Sequence, residues 1–282
     1  MKKFIIFMTA VIMAVMMTSC GSETADSGKL KVYTSFYAMY DFAKTVGGDD
    51  IELTNIVPAG GEAHHFEPSA ADMAKLSECD VLIYSGNGME EWAEDIATTL
   101  PESVKVVETS KGLSVDEGDP HVWLSIENAK SQIDAICSAF SESDSENAEN
   151  YIKRTDEYKA KLDLLDEEYK NAGLSGKKLF VTHGAYGYLC RDYGMEQVAL
   201  EGVQGESDPS PSQMAQVVDM IKADGAKGIF YDPNGSDKTA SSVADEAGVL
   251  SLELCTFETD SENRDYLTVM SANLQELKKG LI

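Results

Sequence analysis

The 282-residue sequence is poor in histidine, with only four, and poor in basic residues of every kind. Lysine and arginine number 23 against 49 aspartates and glutamates, so the formal net charge is −26. This balance argues against nucleic-acid binding, because nucleic-acid phosphates are neutralised by Lys and Arg side chains. The acidity is typical of a solvated exported protein or of one that handles cations.

Several motifs that carry common chemistry are also missing. The five cysteines contain no Cys-x-x-Cys pair, which argues against a thiolate zinc cluster. No His-Glu-x-x-His or Gly-x-Ser-x-Gly motif is present, and "GNGMEEW" is not the Gly-x-Gly-x-x-Gly of nucleotide-binding loops. Cys190 and Cys255 both lie in the second half of the chain. A disulfide between them stays open, because connectivity cannot be read from sequence.

The longest apolar run lies at the N-terminus and predicts export. Lys2 and Lys3 precede apolar residues from Phe4 to about Met17, which together indicate a signal peptide over residues 1–19. This run is shorter than the roughly 20 residues that a membrane span requires. The segment Met17–Cys20 resembles a bacterial lipobox, so we expect Cys20 to be lipidated and to anchor the protein on the outer side of the cell membrane. A cleaved signal peptide with an incidental cysteine is the alternative.

After a polar stretch at 20–28, which predicts a flexible tether, strand-like and helix-like segments alternate along the chain. Strands separated by ten or more helical residues indicate βαβ units and parallel sheets. We therefore predict an α/β protein with two Rossmann-like parallel-sheet lobes, at residues 29–145 and 174–282. Residues 146–173 are predicted to form one long rigid helix that joins them.

Local signals predict where several helices begin. Ser69 and Ser210 are each followed three residues later by Asp72 and Gln213, which is the pattern of a capping box. Ser143 with Glu146 predicts a further helix start before the connecting helix. Apolar residues recur at helical spacing along that helix and predict its buried face: Ile152, Tyr158, Leu162, Leu165 and Tyr169.

Three of the four histidines, and one glutamate, follow predicted strands. His64, His121 and His183 come after or at the end of strand-like runs, and Glu258 follows the last such run. Ligands of open parallel sheets bind at the carboxyl ends of strands, so these four side chains are predicted to share one site. Three imidazoles and one carboxylate can complete a tetrahedral zinc site. The remaining histidine is His65.

Six segments, in order, resemble the zinc and manganese substrate-binding lipoproteins of ABC importers (cluster A-I, the ZnuA/AdcA-like group). They are "GEAHHFEPSAADMAKL", "GNGMEEW", "DPHVWLS", "FVTHGAYGYLCRDYG", "SDPSPSQM" and "YLTVMSANLQELKKGL". The resemblance runs from about Lys29 to the end of the chain. It implies a binding-protein fold of the helical-backbone type, with no enzymatic activity and with an importer permease as partner. A monomer is expected.

The resemblance implies that the metal ligands are His64, His121, His183 and Glu258. His64, rather than His65, is the match, because the family's ligand stands two residues before the aromatic residue; His65 is expected to face solvent. The Glu258 assignment rests on an atypical "TFETD" run, so Asp232 and Asp260 stay open as the fourth ligand.

The expected cargo is Zn²⁺, because nitrogen-rich sites favour zinc and oxygen-rich sites favour manganese. The family's histidine-rich loop is absent here, where "SVDEGD" stands, so manganese remains the alternative. Two other functions stay open at this stage. One is a zinc-dependent hydrolase with Glu67 as base, and the other is a surface adhesin.

Overall fold

The computed structural model describes residues 28–116, 118–203, 209–259 and 264–282. The predicted signal peptide, the predicted lipidation residue Cys20 and nearly all of the predicted tether lie outside the described residues. Within the described part, the helices are too short or too polar to cross a lipid bilayer.

The first lobe is a four-stranded parallel sheet in the order β2-β1-β3-β4. Its strands are β1 Leu30–Thr34, β2 Ile51–Asn55, β3 Val81–Tyr84 and β4 Lys105–Glu108. Three helices connect or flank them: α1 Tyr37–Gly47, α2 Ala70–Leu76 and α3 Glu91–Ala97. All four residues of β3 are buried, as is typical of a parallel strand covered on both faces.

The second lobe repeats this plan with the order β6-β5-β7-β8. Its strands are β5 Lys178–Val181, β6 Glu196–Ala199, β7 Gly228–Tyr231 and β8 Leu250–Glu253. Its helices are α6 Gly187–Tyr193, α7 Pro211–Asp224, α8 Lys238–Ala247 and α9 Tyr266–Leu281. The predicted fold class of two parallel-sheet lobes is confirmed.

Two antiparallel helices, α4 Ile126–Ser143 and α5 Ala148–Lys170, lie between the sheets along the chain. The predicted helix start at Ser143 is wrong, because Ser143 is the last residue of α4 and Asn147 precedes α5. The turn is organised by Asp144 instead, whose carboxylate accepts hydrogen bonds from Asn147 Nδ2 (2.8 Å) and Tyr151 Oη (2.7 Å).

The predicted buried face of α5 is right at four of its five positions. Tyr158, Leu162, Leu165 and Tyr169 are buried, as expected. Ile152 was expected on the same face, but it is 49% exposed. The neighbouring Tyr151 fills that position and is fully buried. At the first turn of α5, the buried face therefore includes Tyr151 in place of the expected Ile152.

The two lobes share one apolar core, which limits how freely they can separate. A single cluster of buried residues includes strand residues of both sheets and side chains from α1, α4, α5 and α9. Tyr266, at the start of α9, donates from its hydroxyl to the Trp123 carbonyl (2.7 Å) and from its backbone N–H to the Asp41 carboxylate (3.0 Å). These contacts tie the second lobe to the first.

Both predicted capping boxes are confirmed. Ser69 accepts from the Asp72 N–H while the Asp72 carboxylate accepts from the Ser69 N–H, and Ser210 and Gln213 are paired in the same way. The disulfide considered for Cys190 and Cys255 is absent, because both residues are buried free thiols. Burial raises the pKa of the Cys190 thiol to about 12, so this thiol stays protonated and unreactive near neutral pH.

Candidate metal centre

His64 lies in the loop between β2 and α2, and its backbone is held by a neighbouring carboxylate. Glu62 accepts hydrogen bonds from the N–H groups of His64 (2.7 Å) and His65 (2.8 Å). Gly60 donates from its N–H to the hydroxyl of Thr259 in the second lobe (2.9 Å). The capping box at Ser69 then begins α2. The loop is thus fixed at both ends before any metal is bound.

His121 follows β4 and begins the short 3₁₀ turn Val122–Leu124. Its side chain is fully buried. The Asp119 carboxylate lies 2.9 Å from its Nδ1 and also accepts from its backbone N–H at 3.0 Å. A carboxylate on one ring nitrogen fixes the ring orientation and leaves the other nitrogen free to bind a metal.

Glu258 lies in a strained segment that follows β8. The preceding residue, Phe257, has a φ of 63°, which is rare for a bulky side chain. Phe257 is buried, and its ring packs edge-on against Tyr37 and Tyr266 at centroid distances of 5.1 and 5.6 Å. The Tyr37 N–H also donates to the Glu258 carbonyl at 3.4 Å. Aromatic packing against the first lobe therefore holds Glu258 in place.

The structure brings the four expected ligands together. One donor atom from each of His64, His121, His183 and Glu258 lies within 4.8 Å of the others, and the group could hold a metal ion. His121 Nε2 is 3.3 Å from His183 Nε2 and 3.3 Å from Glu258 Oε1. The Nε2 atoms of His64 and His183 lie 3.7 Å from Glu258 oxygens.

These separations suit a tetrahedral site. With zinc–ligand bonds of about 2.0–2.1 Å, the donors of a tetrahedron are about 3.3 Å apart. Both ring nitrogens of His64 and Oε1 of Glu258 are buried with no hydrogen-bond partner among the described residues. Unsatisfied buried polar atoms are unfavourable, and an ion would supply a partner to one ring nitrogen of His64 and to Glu258 Oε1.

Burial and neighbouring charges shift the pKa values of three of the four expected ligands. Burial lowers the pKa of His64, and the Glu258 charge offsets this only in part. Burial also disfavours the charged form of His121, but the hydrogen bond to Asp119 and the nearby negative charge of Glu258 outweigh it and raise the pKa to about 9. Burial alone would raise the pKa of Glu258, yet the nearby rings of His121 and His183 hold that pKa well below its usual range.

Asp232 and Asp260 are the two alternatives for the fourth ligand. Asp232 is engaged by Thr256, which donates to it from its N–H (2.8 Å) and from its hydroxyl, and by the Asn234 N–H (2.7 Å). It therefore supports the segment that carries Glu258 and is not among the four clustered donors. Asp260 lies outside the described residues.

An open cleft of about 650 Å³ lies beside the cluster and gives it access to solvent. His64, His183 and Glu258 line this cleft, together with His65. His65 is exposed, as expected, and its ring centroid is 6.4 Å from that of His64. Glu67, the base considered for a hydrolase, is also exposed and does not line the cleft.

Two supporting carboxylates were missed by the sequence reasoning. Glu62 and Asp119 each stand two residues before an expected ligand, His64 and His121, and each binds the backbone N–H of that ligand. The repeated acid-x-His spacing is the signal that could have found them. Only Asp119 also contacts the ring of its histidine, as acceptors behind metal-binding histidines usually do.

Comparison with known proteins reveals a family match over most of the chain. Residues 32–280 match the family described as "Zinc-uptake complex component A periplasmic". The chain is 33% identical over 307 residues to the zinc-binding lipoprotein AdcA of Streptococcus pneumoniae; the match covers 99% of this chain but 61% of that protein. The chain thus spans about three fifths of the length of this curated relative.

One further relative, and one solved domain of AdcA, match over nearly their full length. The high-affinity zinc uptake system protein ZnuA of Bacillus subtilis is 32% identical, with 93% of this chain and 91% of that protein covered. The zinc-bound ZnuA-like domain of S. pneumoniae AdcA superposes with a TM-score of 0.81 at 31% identity, and the match covers 90% of this chain and 99% of that domain.

Proposed function

Since the chain belongs to the family of periplasmic zinc-uptake components A, we propose that it captures Zn²⁺ between its two lobes and delivers the ion to an ABC importer. The observation that carries this proposal is the convergence of four donors from strand ends of both sheets. His64 and His121 come from the first lobe, and His183 and Glu258 come from the second. Such a site is complete only when both lobes contribute.

The proposed ligands are His64, His121, His183 and Glu258, and the donor set favours zinc. Three imidazole nitrogens and one carboxylate suit zinc, whereas manganese prefers a site richer in oxygen. The relatives named above are zinc proteins by their descriptions, which supports the same choice. The family is a transport component, so the zinc-hydrolase alternative has no support from it.

The cellular setting follows from the N-terminal segment. We propose that Cys20 is lipidated and holds the binding protein, as a monomer, on the outer side of the cell membrane near the permease. The relative from S. pneumoniae is described as a lipoprotein, which supports this anchor. The shared core and the helix pair α4–α5 resist a wide hinge motion. Release is therefore expected through small tilts that distort the site.

Equilibrium titration of the purified, metal-free protein tests the proposal. We expect one tight equivalent of zinc, counted by elemental analysis after dialysis, and weaker binding of manganese in competition. Zinc should win because nitrogen donors favour it and because Mn²⁺ is at the weak end of the divalent series. Tight manganese binding with no preference for zinc would support the alternative cargo. If neither metal bound stoichiometrically, the proposal would be wrong.

Zinc affinity should rise with pH. The pKa of His121 is raised to about 9, so this ring is protonated at neutral pH and must lose its proton to bind zinc. We expect about a tenfold gain in affinity per pH unit between pH 6 and pH 8, as for release of one proton. Calorimetric titrations in buffers of different ionisation enthalpy would measure this proton release at pH 7. A pH-independent affinity with no released proton would contradict the prediction.

A further inference from the structure

The loop before His121 is held from both lobes, and Asp119 is the residue where these contacts meet. Its carboxylate bonds to Nδ1 and the backbone N–H of His121. Its backbone carbonyl accepts from Asn87 Nδ2 (2.7 Å) in the first lobe and from the Tyr188 hydroxyl (3.0 Å) in the second. The side chain of Asp119 thus contacts a predicted ligand, while its backbone carbonyl is held at the lobe interface.

Tyr188 reaches this loop from α6 of the second lobe. The residue is fully buried, and its hydroxyl accepts a second hydrogen bond from the Asp116 N–H at 2.8 Å. Arg191, one turn along α6, covers the Tyr188 ring at 4.7 Å and lies 3.6 Å from the Asp116 carboxylate. One hydroxyl therefore holds the loop at two points across the interface.

Gly187, at the start of the same helix, leaves room for the Asp119 carboxylate. A Cβ atom at this position would lie 2.4 Å from Asp119 Oδ2, well inside van der Waals contact. Any larger residue would therefore push the carboxylate away from His121. The second lobe both holds the Asp119 backbone and makes space for its side chain.

We propose that Asp119 is the positioning residue for the His121 ligand, and that Tyr188 and Gly187 hold it in place only while the lobes are in contact. This inference rests on the proposed zinc function. A small separation of α6 from the first lobe would break the hydrogen bonds that the Tyr188 hydroxyl makes with Asp119, Asp116 and Asn87. The Asp119 loop would then be free to move, and His121 would lose its fixed orientation. Zinc would be released without a wide hinge motion.

The test is the rate at which the zinc-loaded protein loses its metal to an excess of chelator. Outer-sphere partners of metal ligands contribute about 10–100-fold to affinity. We expect Asp119→Ala and Gly187→Ala to lose zinc about 10–100 times faster than the wild type, and Tyr188→Phe about tenfold faster. Asp119→Asn keeps an acceptor for Nδ1 and should partly rescue the rate.

Tyr193→Phe is the matched control. This tyrosine lies on the same helix and donates one hydrogen bond to Asp166 at 2.9 Å, away from the site. We expect its rate to equal that of the wild type. As a second readout, the visible spectrum of the Co²⁺-loaded protein should change in Asp119→Ala and Tyr188→Phe but not in Tyr193→Phe. A purely structural role for Asp119 would leave that spectrum unchanged.

The outcomes separate this inference from the proposed function. If the wild type holds zinc and Tyr188→Phe, Asp119→Ala and Tyr193→Phe all release it at the wild-type rate, the positioning role is wrong and the function stands. If the wild type retains no zinc, the function itself fails. Asp119→Asn is nearly isosteric, so it keeps the test decisive should Gly187→Ala fail to fold.

Discussion

His64→Ala is expected to weaken zinc binding by about 10²–10³-fold. The free energy of zinc binding at structural sites of small domains is roughly 10–16 kcal/mol, so one ligand of four accounts for roughly 2.5–4 kcal/mol. Every 1.4 kcal/mol of binding free energy is about tenfold in affinity. The metal-free variant should stay folded, because both ring nitrogens of His64 are buried without a partner among the described residues. Competition with a chromophoric zinc chelator would measure the loss.

His65→Ala is the matched control, one residue away. His65 is exposed and is not among the four clustered donors. We expect its removal to change zinc affinity by less than about threefold, within the range of surface substitutions. Loss of binding in His65→Ala, with His64→Ala unaffected, would show that the assignment is shifted by one residue.

Glu258→Gln is expected to lower zinc affinity by about 10²-fold, because it removes the one negative charge in a set of three neutral imidazoles. The carboxylate lies 3.3–3.7 Å from ring nitrogens of all three histidines. Its backbone is held by the Tyr37 N–H and by the packing of Phe257, so the substitution should leave the segment in place. Isothermal titration with a competing chelator would report the change.

Asp232→Asn separates Asp232 from Glu258 as the fourth ligand. Asp232 supports Thr256, two residues before Glu258, and so acts on the site only through that segment. We expect a loss of about tenfold, at the lower end of outer-sphere effects. The exposed Glu253, in β8, offers a charge-matched control as Glu253→Gln and should bind zinc like the wild type. A larger loss in Asp232→Asn than in Glu258→Gln would reverse the assignment.

The sequence predicted the fold and the location of the site because both depend on local patterns. Parallel strands of one sheet end at the same edge, so His64, His121, His183 and Glu258 could be grouped from their positions at strand ends. The capping boxes at Ser69 and Ser210 were predicted for the same reason, since each involves residues three apart. Periodicity likewise predicted four of the five positions expected on the buried face of α5.

The errors and omissions depend on contacts that local patterns do not show. Ser143 resembles a helix cap, but the Asp144 carboxylate bonds to Asn147 and Tyr151, and α5 begins only at Ala148. Tyr188 meets Asp119 from 69 residues away along the chain, across the lobe interface. Its role is visible only once the two lobes are in contact. Tertiary packing therefore decided the supporting residues, whereas the clustering of the four proposed ligands followed from their positions at strand ends.

A crystal structure of the zinc-loaded protein, with anomalous data collected at the zinc absorption edge, tests the central claim most directly. We predict one strong anomalous peak between the lobes, about 2.0–2.2 Å from one nitrogen each of His64, His121 and His183 and from a Glu258 oxygen. A peak bound to His65 or Asp232 in place of these ligands, or no peak between the lobes, would contradict the account.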